Sequence, residues 1–171
     1  GGGIIINGKI VSGTHGAGGE IGHGHVDDTI TESCNCGNKG CLEQVASATG
    51  IARLARKALT ADDRPSLMRD AAEVSAKTVF DAVKAGDALA TRIADEFGRY
   101  LGAALASLAV VVDPAVFVIG GGVSKAGPVL IPFVEKEFQK RAFFANKDAK
   151  IVLAELGNDA GICGAARLIL N

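Results

Sequence analysis

His23, Cys34, Cys36 and Cys41 are the residues whose types and spacing point most plainly to chemistry. Ten residues separate His23 from Cys34, one separates Cys34 from Cys36, and four separate Cys36 from Cys41. Asn35, Gly37, Asn38, Lys39 and Gly40 fill the intervals between the thiols. Glycines let so short a segment fold back until three sulfurs converge. Zinc takes four soft or borderline ligands in a tetrahedron, and a Cys3His set closes its coordination sphere, which marks a structural site. Lys39 stands ready to offset part of the thiolate charge. The competing reading is three incidental core cysteines. Free cysteine favours apolar surroundings, and these sit among Asn, Gly and Lys. His25, two residues past His23, competes with it as fourth ligand. His15 lies in a glycine-rich loop, either in solvent or near a ligand. Cys163 has Ala, Ile and Gly neighbours and reads as an inert core residue.

Two carboxylates flank this set. Glu20 precedes His23 by three residues and Glu43 follows Cys41 by two. An ion that gathers His23 and Cys41 also draws Glu20 and Glu43 together, and paired carboxylates can accept bonds from several hydroxyls of a sugar. Without that role, Glu20 is a solvated loop acid and Glu43 a first-turn acid favoured by the helix dipole. Gly1-Gly2-Gly3 and Gly120-Gly121-Gly122 are candidate phosphate or nucleotide loops, because glycine brings backbone N–H groups close to an anion. Each is also compatible with a plain tight turn. Val123 to Ala126 leads from the second loop toward a helix, the right neighbourhood for a nucleotide at a sheet edge.

These residues need elements to position them. Ile4-Ile5-Ile6 and Lys9-Ile10-Val11 around Asn7-Gly8 predict a hairpin with a type I′ turn. A glycine loop feeding a strand normally follows an earlier strand, so the chain reads as cut from something longer. Leu42 to Leu59 predicts one helix, and Ser75 to Ala85 a second that Gly86 stops. Asp87 caps a long third helix striped by Ile93, Phe97, Leu101, Leu105 and Leu108. Gly98 and Gly102 within it each cost roughly 1 kcal/mol in a helix interior, so close approach of another element is the expected compensation. Val116 to Ile119 predicts a buried strand and Ile151 to Leu153 another. Pro128 to Arg141 predicts a helix in which Pro132 fits only if the helix starts late. Asp159 to Leu170 predicts a terminal helix. Strands alternating with helices give an α/β class, a sheet with helices packed on it.

Composition sets outer limits. The 171 residues suit one domain or one lobe of a two-lobed protein, and 48% apolar residues suffice for a core. With a net charge of -1 and interspersed signs, no nucleic-acid face is expected. No signal peptide or membrane span is legible, since the longest apolar candidate, Leu101 to Val112, is too short. A cytoplasmic setting follows, in which thiols stay reduced and a disulfide within the loop is disfavoured.

Glu20-Ile21-Gly22-His23, followed by Cys34-x-Cys36-Gly37-x-x-Gly40-Cys41-x-Glu43, resembles the signature of the ROK family (repressors, open reading frames, kinases). Ile119 to Val123 resembles its adenosine-side glycine motif, and Gly1 to Gly3 the end of its second phosphate loop. Ala160-Gly161-x-x-Gly164-Ala165-Ala166 also fits. The likeness covers essentially the whole chain, which is most similar to the family's ATP-dependent glucose kinases. It implies the C-terminal lobe (residues 1–171) of an actin-like, ribonuclease H-like ATPase fold, a mixed sheet flanked by helices. By the same resemblance Glu20, His23 and Glu43 bind the sugar, with His23 sharing its two ring nitrogens between zinc and sugar. Gly120, Gly121 and Gly122 lie on the adenosine, and Gly1, Gly2 and Gly3 on the phosphates. The implied cofactors are structural Zn2+ and ATP with Mg2+. The implied partners are glucose or a related hexose, ATP and a second copy in a homodimer. The family's first phosphate loop and its catalytic Asp match nothing in this sequence; Asp27-Asp28 and Asp62-Asp63 lack the flanking pattern. The alternative within the resemblance is the sugar-sensing domain of a repressor.

Overall fold

The computed structural model describes residues 1–169. It opens with a hairpin, β1 (Ile5–Ile6) against β2 (Lys9–Ile10), antiparallel with Ile5 opposite Ile10. Asn7 and Gly8 both have positive φ, at 52° and 75°, as a type I′ turn requires. Irregular chain then runs to residue 42, broken by a 3-10 turn at Ile21–His23.

The helix expected from Leu42 to Leu59 is two helices, α1 (Glu43–Ala46) and α2 (Ala48–Ala61). Ser47 interrupts them in extended conformation, and its side chain accepts from the Gly50 N–H at 3.0 Å. The apolar stripe ran through both, so periodicity alone missed the serine cap. In α3 (Ala76–Lys84), Ser75 and Thr78 form a capping box, and Gly86 ends the segment at φ +83°.

The long helix is α4 (Ala88–Val112). Asp87 caps it by accepting from the Ala90 N–H at 2.9 Å, an interaction worth about 1 kcal/mol. Asp87 also accepts from Ser66 Oγ and the Leu67 N–H, which ties the preceding loop to the helix start. Asp113, left-handed at φ 47°, closes α4 before Pro114. β3 (Val116–Ile119) follows, then a short helix α5 (Gly121–Ser124), a 3-10 turn at Pro128–Leu130, and α6 (Ile131–Arg141). Pro132 therefore stands in the first turn, where its missing N–H costs nothing. A Cβ on Gly98 would lie 2.3 Å from Phe133 O, and one on Gly102 2.7 Å from Val134 O. Backbone contact with α6 is the compensation those two glycines obtain.

β4 (Lys150–Leu153) pairs in parallel with β3, and α7 (Ala160–Ile169) ends the described chain; Leu170 lies outside it. The antiparallel and parallel pairings of a mixed sheet are thus both present, in two separate ladders. The core lies between α4 and its neighbours. Phe80 and Phe97 meet edge to face at 5.9 Å, and Phe117 meets Phe138 at 5.8 Å. β3 is not buried on both faces as expected. Phe117 and Ile119 turn to the core while Val116 and Val118 stand exposed, because among the described residues no element covers the second face. Cys163 is exposed on α7 rather than in the core, for the same reason. No helix among the described residues is long and apolar enough to cross a membrane.

Candidate functional site

The site grows from a loop held by its own backbone. The Val26 N–H donates to Gly40 O at 2.7 Å and the Leu42 N–H to Gly24 O at 2.9 Å, so residues 24–26 run alongside 40–42. The Cys34 N–H donates to Asn38 O at 2.7 Å and closes the tip. Gly37 and Gly40 adopt φ +90° and +71°. Gly40 is also sterically required, since a Cβ there would stand 2.3 Å from Asp27 O and 2.5 Å from the His25 ring. Gln44 fastens the base: its Oε1 accepts from the Cys41 N–H at 3.0 Å while its Nε2 donates to Glu32 O at 2.9 Å.

This folding brings one ligand atom from each of His23, Cys34, Cys36 and Cys41 within 4.8 Å of one another. His23 Nδ1 lies 3.7 Å from Cys34 Sγ, and Cys36 Sγ lies 3.6 Å from Cys41 Sγ. Tetrahedral zinc with ordinary Zn–S bonds separates its sulfurs by about 3.8 Å, so the donor set fits that ion. Burial, aided by the neighbouring Cys36 and Cys34 thiols, pushes the Cys41 thiol up to about 12. The Asn38 backbone N–H holds the Cys36 thiol below its ordinary value. Thiols crowded this way surrender their protons when a divalent cation takes the charge.

His25 stands outside the cluster. Its Nδ1 faces Lys39 O at 3.0 Å and its Nε2 faces Asp28 Oδ1 at 2.9 Å. Those contacts raise its proton affinity, the Lys39 carbonyl most and Asp28 next. His15 lies in exposed loop.

His23 Nε2, the ring nitrogen away from Cys34, lies 3.9 Å from Glu20 Oε2. Glu43 opens α1 on the neighbouring wall. A Cβ placed on Gly22 would lie 3.8 Å from Glu43 Oε2 and 3.8 Å from Gly1 N. Glu43, Gly1 and Gly120, Gly121 and Gly122 line one cavity of about 460 Å³. Gly2 and Gly3 line the adjoining one. Gly2 is pressed against the loop that ends in Glu20, for a Cβ on it would meet Gly19 O at 2.7 Å. Gly121, at φ +71°, starts α5, so the second glycine run opens a helical turn.

Sequence reasoning missed three supports of this site: Gln44, Asp27 and Tyr100. The Tyr100 hydroxyl on α4 donates to Asp27, which also accepts from Thr29 Oγ1 at 2.6 Å and the Thr29 N–H at 2.8 Å. The Thr29 hydroxyl first and Tyr100 next hold the Asp27 carboxyl at about 2. One signal was available. Tyr100 is the sole tyrosine of the chain, in a mostly buried helix, and a buried tyrosine hydroxyl needs a partner.

Known proteins resemble the whole of this chain. A glucokinase of Halalkalibacterium halodurans is 45% identical over 173 residues, 99% of this chain and 52% of that protein. The N-acetylglucosamine repressor of Escherichia coli O6:H1 is 34% identical, over 99% of this chain and 41% of that protein. In structure, a ROK family glucokinase from Streptomyces griseus, solved with glucose and AMPPNP, superposes with a TM-score of 0.86 at 33% identity. That match covers 97% of this chain and 55% of the other. The chain spans about half the length of the curated relatives it matches. The sequence model of the ROK family matches residues 1–171, and the chain belongs to that family.

Proposed function

We propose that residues 1–171 form the C-terminal lobe of an ATP-dependent glucokinase, which transfers the γ-phosphate of ATP to the 6-hydroxyl of glucose. One observation carries this reading: Glu43, Gly1 and the Gly120–Gly122 run share a single cavity beside the His/Cys cluster. The relative with 45% identity bears the glucokinase name, which supports the same reading.

His23, Cys34, Cys36 and Cys41 hold a zinc ion in this proposal. Four protein ligands leave the ion no open position, so it supplies bracing and no chemistry. Glu20 and Glu43 accept hydrogen bonds from sugar hydroxyls, and His23, with Nδ1 on zinc, donates one from its Nε2–H, so the three fix the ring. Gly120, Gly121 and Gly122 approach the adenosine, and Gly1, Gly2 and Gly3 approach the phosphates of Mg-ATP. Phosphoryl transfer also needs a group to orient the attacking hydroxyl. We assign that group to an N-terminal lobe outside this sequence.

The two split ladders support such a division. An apolar slot of about 470 Å³ runs between Gly3–Ile5 and Val116–Gly120, floored by Leu101, Leu105 and Leu108 of α4. Among the described residues β1 and β3 are each paired on one side only, so the slot suits an added strand that would join the ladders. The exposed Val110, Val111, Phe143 and Phe144 offer apolar surface for a homodimer. A cytoplasmic location and a role in glycolysis accompany the reading.

The repressor relative favours a second reading, in which the same grip senses a sugar. The residues preceding Gly1 discriminate: a catalytic Asp means kinase and a helix-turn-helix means repressor. The assay is full-length protein and the 171-residue chain, each with glucose and Mg-ATP. Turnover by the full-length protein alone is expected. Turnover by the short chain at ordinary kinase rates contradicts the lobe assignment, and none by the full-length protein contradicts the kinase.

A further inference from the structure

The 3-10 turn Ile21–His23 has two sides. One carries His23 toward the metal cluster and Glu20. The other walls a separate cavity of about 380 Å³ between the metal loop and the outer face of α4. Ile21 and Leu42 line both this cavity and the cleft that contains Glu43. The reverse cavity therefore lies one side chain away from the sugar residues.

Its chemistry differs from that of the cleft. Arg99 of α4 and Arg141 at the end of α6 both line it, and no Asp or Glu does. The Arg99 guanidinium stacks on the Tyr100 ring at 4.0 Å from the centroid, which presets its plane. Among the described residues Arg99 makes no ion pair. The Asp27 carboxylate offsets part of its charge but is engaged by Thr29 and Tyr100. Arg141 turns Nη1 to Glu137, and a guanidinium carries further donors beyond that one. Between the two arginines the lining is Val26, Leu42, Leu108 and small α4 side chains, with Ser107 at the surface and the His25 ring, held by Lys39 O and Asp28, at the loop side. Planar donors above an apolar floor match an oxyanion carried on an apolar body.

We infer that this cavity is a second binding site, for a small organic carboxylate or phosphate ester with an apolar body. Its occupancy fixes the back of the Ile21–His23 turn and so tightens sugar binding at the front. The coupling, though not the anion site, rests on the sugar-binding reading above. Linkage makes the effect reciprocal: sugar tightens anion binding by the same factor.

The test is calorimetric titration of the full-length protein with phenyl phosphate, benzoate and inorganic phosphate, with and without glucose. At least one organic probe is expected to bind, and more tightly than inorganic phosphate, since its ring is buried. Phenyl phosphate as the better ligand identifies the phosphate class, and benzoate the carboxylate class. Arg99→Gln removes the charge and weakens the probe roughly tenfold. Ser107→Phe fills the cavity and abolishes its binding. Both variants keep glucose affinity, measured without probe, within about twofold. Glucose improves probe affinity roughly fivefold and the probe improves glucose affinity equally. The site is overturned if neither organic probe binds the wild type, or if both variants bind it unchanged. Binding without mutual enhancement overturns the coupling. Failure of glucose to bind wild type overturns the sugar reading instead, and the probe titration still decides the anion site.

Discussion

The metal loop and the sheet face that follows α4 reach opposite kinds of completion. Residues 24–26 and 40–42 bond to each other, Gln44 anchors the base, and Tyr100 ties Asp27 to α4. Four ligand atoms then converge on one point. β3 has one bonded edge, Val118 is 60% exposed on its outer face, and Ile162 of α7 is 74% exposed. In the proposed function a cation completes the loop, whereas further polypeptide completes the sheet face. Under that proposal a small ion sets the geometry of the sugar grip locally.

Breaking the loop gives the largest expected effect. Gly40→Ala drives a Cβ into Asp27 O at a backbone angle that favours glycine. It should cost about 3 kcal/mol in thermal unfolding and lower bound zinc in the same preparation. The sheet face comes next. Val118→Lys in the full-length protein should cost about 2 kcal/mol in denaturant unfolding, because the outer face of β3 is covered there. A change under about 0.5 kcal/mol, typical of surface sites, would mean the face stays open.

Tyr100→Phe sharpens the comparison on the loop side. It deletes the hydroxyl that Asp27 accepts from and should cost about 1 kcal/mol. In the full-length enzyme the glucose KM should rise about fivefold with kcat preserved, the equivalent of about 1 kcal/mol in binding. The pH dependence has a definite sign. The Asp27 carboxyl is lowered in the fold from its ordinary 3.8 to about 2, so its stabilisation is complete above 3.8 and fades as pH falls toward 2. Acid unfolding of Tyr100→Phe should therefore be less steep than wild type in that interval. The smallest effect belongs to His25. His25→Asn should leave zinc content intact, because the His25 ring is committed to Lys39 O and Asp28, whereas His23→Asn should lower it.

Much of this was legible in the residues themselves. Asn7-Gly8 specifies its turn, Asp87 and Ser75 specify helix starts, and the Cys spacing specifies convergence of three sulfurs. Each of these signals is local, set by backbone conformation or a short loop. What escaped is contact between distant parts of the chain. Tyr100 and Asp27 lie 73 residues apart, and nothing in either neighbourhood names the other. The exposure of Val118 and Cys163 escaped for a related reason. An apolar strand and a small-residue helix read as buried, and burial depends on what lies across from them.

The most direct test compares zinc content and glucose affinity in full-length wild type and Cys36→Ser, an exposed member of the ligand set. The metal-braced grip predicts that both fall together, because Glu20, His23 and Glu43 lose their common frame. Loss of zinc with glucose affinity unchanged would contradict it and reduce the ion to a staple of the fold.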